Sequence, residues 1–70
     1  MPRRFIVQIH IERVRQALSS ADGNAWTADQ VVAWLTDAGF SRVDESTWLV
    51  SEPDLGQLEP PEVTILREEP

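Results

Sequence analysis

Hydrophobic spacing switches between strand and helix periods along this 70-residue chain, and each switch predicts an element. Phe5, Val7, Ile9 and Ile11 alternate with Ile6, Gln8 and His10, the period of a strand rich in β-branched residues. Val7, Ile11, Val14 and Leu18 also fit a helical stripe, so a single helix from Arg3 to Ser19 competes. The β-branched density of Ile6–Ile11 favours a strand to about Ile9, then a helix carrying Ile11, Val14, Arg15, Ala17 and Leu18. Ser19–Asn24 reads as a loop, with Asp22-Gly23 as its turn signal.

The next stretch, Trp26–Phe40, spells a helix with both end signals. Thr27 is a good N-cap and Gln30, three residues on, completes a capping box. Trp26 and Val31 have the spacing of a hydrophobic staple. Gly39 can take the left-handed cap conformation and let Phe40 fold back on Leu35. Between these ends Val31, Trp34, Leu35 and Ala38 form an apolar stripe.

Beyond Phe40, Thr47–Ser51 reads as a strand that Ser41–Asp44 can join across a Glu45-Ser46 turn. Pro53 ends it, because proline cannot donate to a ladder. Leu55 and Leu58 anchor the following connection to the core, and Pro60-Pro61 is extended. Glu62–Arg67 alternates as a last strand, leaving residues 68–70 as a frayed tail. The expectation is one small α+β domain over residues 1–67, with two helices packed on a three-stranded, mainly antiparallel sheet in the order β-α-α-β-β. The alternative is a helix-first, winged-helix-like arrangement.

Composition narrows the chemistry. There are no cysteines, which excludes disulfides and thiolate metal sites. A domain this small buries only about 60% of its unfolded surface, so a homodimer sharing core surface would add stability. No apolar run approaches the ~20 residues of a membrane span. The start MPRRFIVQIHIER has the flavour of a signal peptide, but Gln8 and His10 interrupt it and no small-residue cleavage site follows. A soluble, cytoplasmic protein is expected.

The net charge of −6 is unevenly spread. Residues 1–20 hold Arg3, Arg4, Arg13 and Arg15 against Glu12 alone, whereas Arg42 and Arg67 face eleven acids in residues 21–70. Such a balance argues against non-specific nucleic-acid binding, which depends on phosphate neutralisation. His10, the one histidine, has no nucleophile or carboxylate motif beside it and reads as a surface or sheet-edge residue. Asp22-Gly23-Asn24 is too little of a calcium loop. No metal, cofactor or catalytic residue is therefore assigned.

Residues Trp26–Leu35 resemble the opening of a sterile alpha motif domain, an all-helical interaction module, and Leu49–Leu58 is similar to its later acidic-leucine segment. Thr47–Ser51 and Glu62–Arg67 read as strands where that fold is helical, so no family is assigned.

The favoured expectation is a non-enzymatic acidic interaction module that binds a protein partner or itself. It rests on a free strand edge and an acidic surface, with Trp48, Asp44, Glu45, Glu52 and Asp54 as interface candidates. Capping explains Trp26 and the core stripe explains Trp34, which leaves Trp48 as the least constrained aromatic. The alternative is a winged-helix-like nucleic-acid-binding or regulatory protein using Arg3, Arg4, Arg13 and Arg15, or, with the sign inverted, an acidic nucleic-acid mimic.

Overall fold

A computed structural model describes residues 2–70. The strand expected at the start is β1, Arg4–Ile9, and the chain turns directly into helix α1, Ile11–Asp22. Gly23 (φ 76°) caps α1 in the left-handed conformation and donates its N–H to Ser19 O. The helix therefore runs through Ser19–Asp22, where composition alone predicts a loop. Gly23, not the serines, is the stop signal.

Helix α2, Ala28–Asp37, carries the predicted capping box in full. Gln30 N–H donates to Thr27 Oγ1 at 3.2 Å, and Thr27 N–H donates to Gln30 Oε1 at 2.8 Å. At its end Gly39 (φ 103°) reverses the chain, and Phe40 N–H reaches back to Leu35 O at 3.0 Å, the Schellman bond.

Four antiparallel strands form one sheet, one more than expected. The fourth is β2, Ser41–Arg42, which pairs with β3, Thr47–Ser51, within the segment Ser41–Asp44 expected to join it. Short helix α3, Glu52–Leu55, follows with Pro53 in its first turn, where a missing N–H is tolerated. The last strand, β4, is Val63–Glu69. Glu68 and Glu69 are not a frayed tail: they stand opposite Phe5 and Arg4 in the ladder, and Arg3 clasps the Glu68 carboxylate at 2.7 and 3.0 Å. The sheet order is β2-β3-β1-β4, so β1 is internal and β4 is an edge. Because the chain enters through a strand, the helix-first alternative does not hold.

The pleat sends Phe5, Val7 and Ile9 of β1, with Trp48 and Val50 of β3, towards the helices. There they meet Val14 of α1, Val31 and Leu35 of α2, Phe40 and Leu58 in one core. Trp26, Trp34 and Leu18 pack half-buried around it. On the reverse face Ile6 is covered between its ladder partners Leu49 and Arg67.

Candidate interaction surface

The acidic candidates do not converge. Trp48 is fully buried in the core beneath the helices, which removes it from the surface. Its register opposite Val7 puts it on the covered face of the sheet, with the Arg42 guanidinium 5.4 Å from its ring centroid. Asp44 and Glu45 sit in the β2–β3 turn, whereas Glu52 and Asp54 follow the other end of β3. Asp44 organises the turn: its Oδ1 accepts from Ser46 N–H at 3.1 Å and Thr47 N–H at 3.0 Å. These bonds, the Ser46 one foremost, hold its carboxyl below the usual range. Asp54 accepts from Ser51 Oγ at 3.0 Å and lies against Gly39, while Gln57 Nε2 donates to Ala38 O at 2.8 Å and ties the end of α3 to the end of α2.

The arginines are equally dispersed. Arg3 bridges Glu68 and Glu52 and lies 5.2 Å from the Phe5 ring centroid. Its hydrogen bond, aided by its charge, holds the Glu68 carboxyl below the usual range. Arg15 is paired with Glu12 and donates to Trp26 O at 3.2 Å. Arg4 stands in the ladder between Ser51 and Glu69. Arg13 shares a shallow cleft with Glu59 and Glu62. No face of the described residues gathers the four as a phosphate-binding patch would.

What the fold does present is the outer side of β4. Helix α1 packs on α2, α2 on β2 and α3 on β3, so β4 has β1 as its one substantial partner. Its far edge carries unpaired ladder groups, the usual template for strand addition. Two of the three large exposed hydrophobics, Ile65 (54% exposed) and Leu66 (50%), lie on this strand; the third, Val43, is beside β2. Leu66 falls between the pairs Ile6–Arg67 and Val7–Ile65 as a bulge, which bends the edge there and leaves Val63–Ile65 as its flatter half.

Beside that half, on the helix side, lies an open apolar cleft of about 490 Å³. Leu55, Leu58, Pro60, Val63 and Ile65 line it. Leu58 and Val63 reach the core, while Ile65 has no helix above it and remains half uncovered. Glu59 and Glu62 stand at the Val63 end, where Glu62 Oε1 accepts from Glu59 N–H at 3.0 Å. Glu52 and Glu68 stand at the other end, joined by Arg3.

Among the described residues no three of His, Cys, Asp and Glu group as metal ligands. His10 is exposed, with Nε2 3.3 Å from Thr64 Oγ1, and its backbone N–H donates to Glu62 O at 2.9 Å. No helix is long and apolar enough to cross a membrane among the described residues. The geometry thus defines a small α+β domain with a sheet edge at β4 and an apolar cleft beside it. Comparison with protein families, curated proteins and solved structures finds no match.

Proposed function

We propose that this chain is a non-enzymatic protein-interaction module of the cytoplasm that binds a partner by strand addition along β4. The observation that carries this reading is the coincidence, on one strand, of an uncovered edge with the exposed side chains of Ile65 and Leu66. Backbone pairing supplies affinity in such complexes, and pockets for alternate side chains supply selectivity. Single exposed hydrophobics are ordinary on a small protein. Two neighbours on an uncovered edge strand, with Ile65 lining an apolar cleft, are less so.

The nucleic-acid alternative is weaker, because Arg3 and Arg15 already hold acids. The test compares capture of partners from the source cell's extract by the wild type, Ile65→Asp and Val43→Asp. Circular dichroism first establishes that both variants are folded. Loss of the same partners with Ile65→Asp alone is expected. Retention by Ile65→Asp, or equal loss with Val43→Asp on the opposite edge, contradicts the assignment.

A further inference from the structure

We propose that β4 is built in two parts: a fixed half, Val63–Ile65, and a latch, Arg67–Glu69, which Arg3 holds shut and which opens while the rest of the domain stays folded. This is independent of whether β4 takes a partner. The division falls at Leu66, whose bulge between the pairs Ile6–Arg67 and Val7–Ile65 interrupts the ladder in mid-strand. Before the bulge, Val63 packs against the core and Ile65 lines the cleft with Leu55 and Leu58. After it, Arg67, Glu68 and Glu69 are charged and add nothing to the apolar core. Segments that open locally are those with few buried apolar contacts and exposed backbone bonds.

Arg3 joins three elements through one side chain. Its Nε and Nη2 donate to the two Glu68 carboxylate oxygens at 3.0 and 2.7 Å, and Nη1 donates to Glu52, at the start of α3, at 3.4 Å. The backbone of Arg3 is anchored separately, since its carbonyl accepts from Glu52 N–H at 2.7 Å. The guanidinium is thus held in place from the α3 side, and its fork meets Glu68 in the directional bidentate geometry. The other charged groups here do not duplicate this hold. Arg4 stands opposite Glu69 and Arg67 opposite Ile6, and neither arginine makes an ion pair among the described residues.

Phe5 and Ile6, 8% and 5% exposed, stand directly opposite Glu68 and Arg67. Opening the latch therefore uncovers apolar surface and frees the β1 edge at Arg4–Ile6, a cost that keeps the closed form dominant. An exposed ion pair holds weakly and is screened by salt, which lets the latch open without unfolding the core.

The test is native-state amide hydrogen exchange, followed by ¹⁵N NMR across low urea concentrations on the wild type, Arg3→Gln and Glu68→Gln, each first shown to be folded by circular dichroism. The amides that bond across the ladder between Arg4–Ile6 and Arg67–Glu69 are expected to exchange with little dependence on urea. Those between Val7–Ile9 and Val63–Ile65 should follow global unfolding. Either substitution should accelerate the first set about two- to fivefold, the double variant no more than either single one. The wild type at about 0.5 M salt should move in the same direction.

A variant that merely destabilises the domain accelerates the second set instead. Urea dependence as steep at Arg67–Glu69 as at Val63–Ile65 overturns the two-part strand, and the wild type alone decides this. Separate opening at the same rate in wild type and Arg3→Gln overturns Arg3 as the clasp.

Discussion

Gly39 and Asp54 give the sharpest energetic test of how this domain is assembled. Gly39 sits at φ 103°, where a side chain costs about 1–2 kcal/mol of backbone strain. A Cβ added there would also collide with the Asp54 carboxylate, whose Cγ lies 2.9 Å away, while Asp54 Cβ remains at an ordinary 3.6 Å. Gly39→Ala must therefore swing the carboxylate, the free end of a flexible side chain, away from Ser51 and lose that hydrogen bond, about 0.5–1.5 kcal/mol. The sum, about 1.5–3.5 kcal/mol, is a sizeable part of the roughly 3.5–10 kcal/mol expected of a domain this size.

In an Asp54→Ala background only the strain remains. Urea denaturation followed by far-ultraviolet circular dichroism on the wild type, both single variants and the double variant gives the coupling directly. The expected coupling is about 0.5–1.5 kcal/mol, with Gly39→Ala costing less when Asp54 is absent. Additivity within about 0.3 kcal/mol would refute the contact and return Asp54 to the list of free surface acids.

Two further predictions follow from the core and the edge. Trp48 Nε1 is buried and meets no acceptor among the described residues, so Trp48→Phe trades lost packing against relief of an unpaired donor that costs about 1–3 kcal/mol. Chemical denaturation should show a loss below about 1.5 kcal/mol, against about 3–5 kcal/mol for Trp48→Ala; a Phe cost as large as the Ala cost would show that the indole N–H is bonded. For Glu68, the folded-state pKa is depressed by Arg3, so the pair stabilises above the ordinary glutamate value and its contribution fades as pH falls through the lower folded value. The melting-temperature gap between wild type and Glu68→Gln should thus be present at neutral pH and close in acid, and a gap that stays constant to pH about 3 would contradict the pairing.

Local signals were legible in the sequence and non-local ones were not. Thr27, Gln30, Gly39 and Phe40 act within a few residues of one another, so both ends of α2 follow from spacing alone. The switch from β1 to α1 after Ile9 is legible for the same reason. Trp48 was not. Alternation says that it opposes Thr47 and Leu49 across the pleat, but which face the helices cover depends on the register of β3 against β1.

The extent of β4 depends likewise on a partner 65 residues away, since Arg3 and β1 hold Glu68 and Glu69 in the ladder. A free strand edge was foreseeable; that it belongs to β4 follows only from β1 lying between β3 and β4. The acids proved to be three different things. Asp44 shapes a turn, Asp54 braces a helix end, and Glu52 lines a cleft that no single stretch of sequence contains.

The most direct measurement is a two-dimensional ¹⁵N and methyl NMR titration of the chain with a blocked peptide of alternating threonine and valine, able to add to the sheet as a strand. Binding at β4 predicts shift changes and slowed amide exchange concentrated on Val63–Glu69, with methyl changes at Leu55, Leu58, Val63 and Ile65 and little response around the β2–β3 turn. Saturable changes confined to α1 or to the β2–β3 turn, with β4 amides unmoved, would contradict it.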